Sequence, residues 1–497
     1  MELDDDACYR ALSSRDARFD GRLFVGVRTT RIYCRPICPA RTPLYRNVSF
    51  YPSAAAAQEA GFRPCLRCRP ESSPDLGAWR GTSNTVGRAL ALIEAGALDR
   101  SDVDGLADRL GVGERQLRRL FRQHLGASPV AVAQTRRVLL AKQLIHQTRL
   151  PMTQVALAAG FSSLRRFNET FQALYGRPPS ALRHGSQEIA AGPGTWIRLS
   201  LPYTPPYDLA ALLAFLAQRA LPGVEYVDAR GYLRVIELDG EQGLVSVEAG
   251  SGATLRIGVN HPRIAALPAI LARVRRVFDL SADPAAIAGH LSADPALAAR
   301  LALRPGLRVP GCWDAFELAV RAILGQQISV SAATALASRI ATQYGRPLSP
   351  TLREANGRMT HAFPTPDALA QADLSSLPMP RSRSSSIAAL ARAVAADPRL
   401  LEGRGEGQAA IERLTALPGI GPWTAHYIAM RGFRDPDAFP AADVGLLRAL
   451  ADENGVRPSP AALSARAEAW RPWRAYAALH LWTTPDLKEP VHGPSLA

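Results

Sequence analysis

The sequence is poor in lysine and cysteine and has no long apolar run. Two of its 59 basic residues are lysines, Lys142 and Lys488, and six of its 497 residues are cysteines. The most apolar helical segment, DLAALLAFLAQRAL, is too short to span a bilayer, so we expect no membrane partner. The N-terminal stretch MELDDDACYR is acidic and carries no apolar run, which favours a cytoplasmic protein over a secreted one. In that reducing compartment, clustered cysteines indicate a metal site or catalysis more often than disulfides.

Positive charge is concentrated towards the N-terminus. Of a net charge of +15, residues 1–185 carry +12, from 28 Lys+Arg against 16 Asp+Glu, and the other 312 residues carry +3. A general preference for arginine explains the scarcity of lysine but not this concentration. The distribution predicts that the N-terminal part binds an anionic partner such as nucleic acid.

The chain is too long for a single hydrophobic core, so we predict several domains. Stretches rich in Gly, Ser and Pro at 71–84 and 184–195 indicate linkers. Runs rich in β-branched residues (TWIRLSL, VEYVDA, YLRVIEL, LVSVEA) predict a small antiparallel sheet after the second linker, and the pattern is helical from about 284 onward. The predicted fold is multidomain α+β, with domains over 1–72, 83–184, 195–283 and 284–488.

The segment between the linkers contains a weak internal repeat. LADRLGVGERQLRRLFRQHLG (106–126) is similar to VALAAGFSSLRRFNETFQALYG (155–176). Each copy has a short apolar helix, a turn at Gly111 or Gly160, and a second helix rich in arginine. This pattern indicates a helix-turn-helix, although a purely structural helical bundle remains open. The stretch, which ends in YGRPPSALR, resembles the DNA-binding domain of the AraC family. That resemblance implies two such motifs joined by a long helix, here at about 130–148.

Four cysteines form two closely spaced pairs, Cys34/Cys38 and Cys65/Cys68. Pairs separated by two to four residues can wrap one tetrahedral Zn²⁺ ion without strain. The spacing therefore predicts a small zinc domain, and by itself it leaves open whether the zinc is only structural. The other two cysteines are isolated and are predicted to be inert: Cys8 and Cys312.

The motifs RTTRIYCRPICPAR and NVSFYPSAAAAQEAGFRPCLRC resemble the N-terminal domain of the bacterial Ada methylation-repair family over about residues 4–70. The resemblance implies zinc ligation by all four paired cysteines. It also implies that Cys34 is a nucleophile that takes a methyl group from a methylphosphotriester in the DNA backbone. Pro39 departs from the family, which often has a basic residue there. The residues that match DNA contacts of the family are Thr30, Arg41 and Arg63.

Zinc would keep Cys34 deprotonated and ready to attack a methyl carbon. Four thiolates on Zn²⁺ carry a net charge of about −2, and methylation of Cys34 leaves about −1, so DNA affinity should rise. We therefore expect a methylation-switched transcription regulator. Its partners would be alkylated and promoter duplex DNA, with RNA polymerase as a further partner.

A second informative motif, LPGIGPWTAHYIAMRGF (417–433), predicts a helix-hairpin-helix. Gly419 and Gly421 would let the backbone approach a DNA phosphate. About twenty residues later, FPAADVGLLRAL places a single acid, Asp443, in an apolar run. Asp443 is either a functional carboxylate or simply the cap of the helix that follows.

Several motifs between about 197 and 486 together resemble the AlkA family of 3-methyladenine DNA glycosylases: PPYDLAALLAFLAQRALPGVE, RVFDL, RPGLRVPGCWDAFELAVRAILGQQIS and WRPWRAYAALHLW. The resemblance implies that Asp443 is the catalytic aspartate. It implies a base pocket built from Trp423, Tyr427 and Trp482, with core packing an equal alternative for Tyr427. Either Gln327 or the adjacent Ile328 would fill the gap left by a flipped base.

Residues and motifs that the sequence lacks exclude some reactions of related repair proteins. Relatives that cleave the strand carry a lysine at the position of Trp423, and both lysines of this chain lie far from the hairpin motif, so we predict a monofunctional glycosylase. With no cysteine after Cys312 we expect no iron–sulfur cluster, and with no P-C-H-R motif we expect no O6-methylguanine repair. The alternative is a DNA-binding transcriptional regulator with a catalytically inactive glycosylase-like domain.

Overall fold

The computed structural model describes residues 4–73, 84–183, 194–354, 356–402, 407–452 and 454–483. Most of both predicted linkers, and Lys488, lie outside the described residues. Within these ranges no helix is long and apolar enough to cross a membrane. The fold is α+β with several domains, as the sequence pattern predicts.

The N-terminal domain is a four-stranded sheet with a helix against each face. Strand order is β3-β1-β2-β4, with β1 antiparallel to β2 and β3, and β2 parallel to β4. Side chains alternate along β1, so Val25 packs under the first helix and Phe24 packs towards the second. The elements are α1 (Asp5–Ser13), β1 (Phe24–Val27), β2 (Ile32–Cys34), β3 (Val48–Tyr51), α2 (Ala54–Glu59) and β4 (Arg63–Pro64).

Two helix-turn-helix units follow, as the internal repeat predicts. The turns pass through Gly111 and Gly160, whose φ angles of +70° and +90° suit glycine. The long joining helix, α7, matches the predicted span within a residue or two at each end. The helices are α3 (Asn84–Glu94), α4 (Ala97–Arg100), α5 (Val103–Leu110), α6 (Glu114–Leu125), α7 (Pro129–Gln147), α8 (Met152–Ala159) and α9 (Leu164–Tyr175).

The next unit is a five-stranded antiparallel sheet in the order β5-β9-β8-β7-β6. The four predicted strands are present, and the structure adds β9, which the quoted runs omit and which pairs between β5 and β8. One apolar core continues from α7–α9 into this sheet, so the second helix-turn-helix unit packs on it. The elements are β5 (Ile197–Pro202), α10 (Leu209–Ala217), β6 (Glu225–Val227), β7 (Gly231–Leu238), β8 (Glu241–Ala249), β9 (Thr254–Asn260) and α11 (Leu267–Val277).

The rest of the described chain is helical around one large core, as predicted from about 284 onward. Helix α20 continues directly into a π-helical turn, Ala429–Phe433. The helices are α12 (Pro284–Leu291), α13 (Pro295–Leu303), α14 (Ala315–Leu324), α15 (Val330–Tyr344), α16 (Pro350–Glu354), α17 (Pro366–Ala370), α18 (Arg381–Ala396), α19 (Gln408–Thr415), α20 (Pro422–Ile428), α21 (Val444–Ala449), α22 (Pro460–Ala467) and α23 (Arg474–Thr483).

A buried ion cluster joins the sheet to α14. Arg234 donates to Glu225 at 2.7 Å and also pairs with Glu317, and Arg321 donates to Glu317 at 2.9 Å. Burial raises the pKa of Glu225, but Arg234 and Arg321 outweigh it and lower that pKa to about 2. Such paired charges fix one geometry more than they add stability. The cluster therefore anchors α14, whose C-terminal end leads directly into residues 325–328 of the cleft described below.

Candidate functional site

The parallel pairing of β2 with β4 brings the two cysteine pairs together. Cys34 is the last residue of β2, and Cys65 follows β4, where its N–H donates to the Tyr33 carbonyl at 3.0 Å. The sulfur atoms of Cys34, Cys38, Cys65 and Cys68 all lie within 4.8 Å of one another. A register set by backbone hydrogen bonds therefore assembles a four-sulfur cluster from two distant segments.

The cluster fits a zinc ion. Backbone N–H groups of Arg35 and Arg67 donate to the Cys68 and Cys65 sulfurs at 3.4 and 3.3 Å, which stabilises thiolates. Hydrogen bonds to the Cys38 sulfur and to the other two sulfurs, together with burial, raise the pKa of the Cys34 thiol. Four thiolates within 4.8 Å of one another repel, so the cluster requires a cation. Four sulfur donors are a ligand set that zinc favours.

The four sulfurs are not equally accessible. Cys38, Cys65 and Cys68 are buried, whereas Cys34 is half-exposed. Cys34 is therefore the residue of the cluster that is most accessible to a large partner. The predicted DNA contacts differ too: Thr30 and Arg41 are exposed, as is Pro39, while the Arg63 guanidinium lies 5.9 Å from the ring centroid of Tyr175.

The isolated cysteines have environments that suppress reactivity. Burial, reinforced by Asp5, raises the pKa of Cys8. Burial also raises the pKa of Cys312 to about 11. Both thiols keep their protons at neutral pH, and a protonated thiol is a poor nucleophile.

The predicted hairpin joins α19 to α20, and its two glycines differ in the space available for a side chain. Gly419 has φ +78°, and a Cβ there would lie 2.0 Å from the Ser386 hydroxyl oxygen. Gly421 is the N-cap of α20, and a Cβ there would meet no atom within 4 Å. The fold therefore requires glycine at 419, whereas 421 leaves the surface open to a ligand.

Asp443 is both a helix cap and an acceptor of two indole N–H groups. Its Oδ1 accepts the Leu446 N–H at 3.0 Å, which makes it the N-cap of α21. Trp423 Nε1 donates to Oδ2 and Trp482 Nε1 donates to Oδ1, both at 2.8 Å. The two interpretations of this residue left open by the sequence are compatible, and three donors from α20, α21 and α23 fix its carboxylate.

Asp443 faces an open cleft beside the hairpin, which we call the hairpin cleft. It is lined by residues 325–328, 415–421, 423–424 and 442–444. Trp423 lies in its wall, and Tyr427 stacks behind Trp423 with ring centroids 5.3 Å apart and planes 9° apart. The Tyr427 hydroxyl accepts a hydrogen bond from Arg431 at 2.5 Å. Burial raises the pKa of Tyr427, but the cations of Arg431 and Arg219 outweigh it and lower that pKa.

Gln327 and Ile328 occupy different positions at the rim of the hairpin cleft. Gln327 is exposed and has φ +58°, an uncommon conformation for a residue other than glycine. Ile328 is half-buried and packs against the helical core. Of the two residues, Gln327 is therefore the more accessible to a partner.

Two residues of the site were not singled out by the sequence analysis. Gln326 Nε2 donates to the Gly419 carbonyl at 2.8 Å and to the Thr424 hydroxyl at 3.0 Å, which ties the Gln327 turn to the hairpin. A Cβ at Gly445 would lie 2.9 Å from Asp443 Oδ1 and 3.2 Å from Trp482 Cδ1. No sequence pattern distinguishes Gln326 from its neighbours. A glycine two positions after the lone acid, Gly445, could have indicated that another group packs closely against Asp443.

Four family models match the chain in sequence order. They are the metal binding domain of Ada over residues 7–71, a helix-turn-helix domain over 106–185, the AlkA N-terminal domain over 198–314, and the HhH-GPD superfamily base excision DNA repair protein over 320–475. Together they define a multidomain DNA repair protein with a zinc-binding domain and a DNA-binding domain.

Relatives match the whole chain or one half of it. A "Probable bifunctional transcriptional activator/DNA repair enzyme AlkA" of Mycobacterium tuberculosis is 44% identical over 496 residues, 99% of this chain and 98% of the relative. The DNA-3-methyladenine glycosylase 2 of Escherichia coli is 38% identical over 290 residues, 57% of this chain and 96% of that protein. The bifunctional transcriptional activator/DNA repair enzyme Ada of Escherichia coli is 33% identical over 188 residues, 38% of this chain and 51% of that protein.

Because the similarity to the mycobacterial protein spans both chains almost completely, this chain belongs to the family of bifunctional transcriptional activators and DNA repair enzymes. It joins an Ada-type zinc-binding and DNA-binding half to a DNA glycosylase half.

Proposed function

We propose that the hairpin cleft excises alkylated purines of the 3-methyladenine type and that Asp443 is the catalytic residue. The observation that carries this proposal is the Asp443 carboxylate at the cleft wall, held by two indole N–H groups at 2.8 Å each. An alkylated purine is cationic, and it takes the bonding electrons when the glycosidic bond breaks. The sugar is left with positive charge, which a fixed carboxylate stabilises without having to reorganise.

The remaining groups of the site position the base and the sugar. A cationic base stacks well on electron-rich rings, which Trp423 and Trp482 would supply and which Tyr427 supports from behind Trp423. Water adds to the sugar and loses a proton, so the products are a free base and an abasic site. Because Trp423 occupies the position where strand-cleaving relatives carry a lysine, we expect the strand to stay intact.

Access to the base requires its rotation out of the duplex. The hairpin, through the backbone around Gly419 and Gly421, would hold a phosphate of the damaged strand. Gln327 is exposed at the rim and would replace the flipped base in the stack. The link from Gln326 to the Gly419 carbonyl keeps these two DNA contacts in one rigid arrangement.

The glycosylase proposal predicts that base release depends on Asp443. We expect Asp443→Asn to lower the rate of 3-methyladenine release from methylated duplex DNA by about 10²-fold or more, because the amide carries no charge. Chromatography of the released bases measures this. Unchanged duplex affinity and thermal unfolding would be the controls. Release at the parent rate would contradict the catalytic role of Asp443, whereas no release by the parent protein would favour the alternative, a regulator whose glycosylase domain is inactive.

We further propose that Cys34 accepts a methyl group from a methylphosphotriester in DNA. The supporting observation is that Cys34 is the half-exposed residue of the cluster, whereas its three partners are buried. The sulfur attacks the methyl carbon, an S–C bond forms, the C–O bond breaks, and the phosphate oxygen keeps the electron pair as a restored diester. Zinc held by the four cysteines supplies a thiolate at neutral pH.

Methyl transfer to Cys34 would reduce the negative charge of the cluster and thereby strengthen DNA binding. The two arginine-rich recognition helices, α6 and α9, would then read promoter DNA, and RNA polymerase would be the partner at the promoter. In this proposal the chain senses backbone methylation in one half and excises alkylated bases in the other.

The methyl-transfer proposal predicts where the methyl group goes. After incubation with duplex DNA carrying a methylphosphotriester, peptide mass spectrometry of the parent protein should locate one added methyl group on Cys34. We expect Cys34→Ala to take up none and Cys312→Ala to behave like the parent. Methyl found on Cys38, Cys65 or Cys68, or continued uptake by Cys34→Ala, would contradict the proposal.

A further inference from the structure

Lys142 is the single lysine in the described part of a chain that otherwise uses arginine. It lies on α7, the helix that joins the two helix-turn-helix units, and its side chain is completely buried. A buried ammonium group is costly unless it is paired and hydrogen-bonded. Neither of the proposed reactions uses it.

Both observed partners of Lys142 belong to the segment that carries the second cysteine pair. Its Nζ donates to the Cys65 carbonyl oxygen at 2.8 Å and to Glu71 Oε2 at 2.7 Å. The Glu71 side chain is only 6% exposed, so this is a buried ion pair. Cys65 is one of the four cluster cysteines, and Glu71 follows Cys68 by three positions. A charged group on the DNA-reading domain therefore holds the backbone of a zinc-ligand residue.

Neighbouring contacts place the same segment on the second helix-turn-helix unit. Leu66 packs against the apolar core that contains α7, α8 and α9. The Arg63 guanidinium lies over the ring of Tyr175, the last residue of α9. The 63–71 segment is therefore seated on both the joining helix and the second recognition helix.

The choice of lysine at this position has a physical reason. An ammonium is compact, and it can aim its donors at a carbonyl and a carboxylate from one point. A guanidinium presents five N–H groups in a fixed planar fork, which two acceptors cannot satisfy. Paired charges in an interior add little net stability but specify one arrangement of the groups around them. The pair is thus suited to fixing how the zinc segment sits on α7.

We propose that Lys142 is a positioning residue that couples the zinc site to the helix-turn-helix pair through Cys65 and Glu71. A change at the zinc cluster shifts the 63–71 segment, and the buried pair carries that shift to α7 and thence to α6 and α9. The regulatory meaning of this coupling rests on the proposed methyl transfer. The coupling itself is testable without it.

The test measures hydrogen exchange in α7 of the full-length protein. The double variant Glu71→Met/Lys142→Met removes both buried charges and leaves the four sulfurs untouched. In the parent, removal of zinc with a chelator should speed exchange of the amides of residues 138–147 by about tenfold or more. In the double variant we expect little change on zinc removal. Glu71→Gln, which keeps the bond from Lys142 to the Cys65 carbonyl, should give an intermediate response.

A matched control removes an exposed ion pair on the sheet, Arg256/Glu248, by double alanine substitution. It should respond to zinc removal as the parent does. Equal responses in the parent and in Glu71→Met/Lys142→Met, or no response in the parent, would overturn the coupling.

A second arm distinguishes this inference from the proposed function. Each protein is compared before and after incubation with methylphosphotriester DNA, with methyl uptake measured by mass. If the sites are coupled, methylation should change hydrogen exchange in α7 of the parent and leave it unchanged in the double variant. If none of the proteins takes up methyl, the methyl-transfer proposal fails, and the zinc-removal arm still decides the coupling.

Discussion

At the scale of residues, hydrogen-bond donors hold the Asp443 carboxylate in one orientation. Its two oxygens accept one backbone N–H and two indole N–H groups, and these donors come from three helices. Hydrogen bonds to a charged group are stronger than neutral ones. In the proposed reaction both tryptophans therefore orient the carboxylate through their N–H groups, and Trp423, which lines the hairpin cleft, also offers an aromatic face to a base.

Orientation of the carboxylate by the two indole groups predicts a specific effect of removing one indole N–H. Trp482→Phe keeps an aromatic ring but leaves Asp443 Oδ1 without its 2.8 Å donor. We expect kcat for base release to fall about tenfold, which corresponds to the loss of roughly 1.4 kcal/mol of carboxylate positioning, with a smaller change in KM.

Single-turnover base release measures the effect. Trp196→Phe, a change in the core beside the five-stranded sheet, is the matched control and should leave the rate unchanged. If Trp482→Phe released bases at the parent rate, the indole N–H would have no part in orienting the carboxylate.

At the scale of elements, the hairpin between α19 and α20 combines a position that requires glycine, Gly419, with one that has free space, Gly421. Gly419 lies against Ser386 of α18, and its carbonyl accepts from Gln326. The hairpin is therefore fixed to α18 and to the turn before α15. This arrangement would keep the proposed phosphate contact in register with Gln327.

The two glycines form a matched pair for mutation. Gly419→Ala should lower the free energy of unfolding by about 1–3 kcal/mol, because φ is +78° and the new methyl group meets Ser386. Gly421→Ala has free space and should leave the free energy of unfolding nearly unchanged while weakening duplex binding. Denaturant unfolding and DNA affinity measure these effects. Equal destabilisation by both substitutions would contradict the assignment of strain to Gly419 alone.

At the scale of the whole molecule, the zinc cluster and the hairpin cleft rest on separate cores and separate chemistry. The zinc cluster has its own small core, whereas the hairpin cleft belongs to the large helical core. The domains also touch one another through ion pairs, such as Arg109 with Glu402 and Arg122 with Glu59. Exposed pairs of this kind contribute little energy and orient the domains only weakly.

Separate cores predict separate consequences of zinc removal. Chelation should loosen the cysteine cluster and the segments that carry it, because zinc binding and folding of a small domain are coupled. Base release from methylated DNA should stay near its starting rate, since no cysteine lies in the hairpin cleft among its lining residues. Proteolysis of the N-terminal domain and base release, measured on the same sample, check this. If base release fell in parallel with the resistance of the N-terminal domain to proteolysis, the independence of the zinc cluster and the hairpin cleft would be contradicted.

How far the sequence predicts this structure depends on the distance over which each feature is fixed. The cysteine pairs, the two helix-turn-helix units and the hairpin follow from spacing within about twenty residues, where chain geometry leaves few arrangements. The strand β9 was missed although TLRIGVN alternates, because a short strand has a weak signal of its own. The family resemblance supplied Asp443 and its tryptophans, which spacing alone did not distinguish from a cap and core residues.

The sequence by itself determined the kinds of domain, the four sulfur ligands and the lone acid, because local periodicity and ligand spacing are properties of short segments. Only the tertiary structure decided which atoms meet. It placed Trp482 against a carboxylate 39 positions earlier, left Gln327 exposed and Ile328 half-buried, and buried Lys142 against the zinc segment. Such contacts depend on the packing of elements distant in the chain, which no short segment encodes.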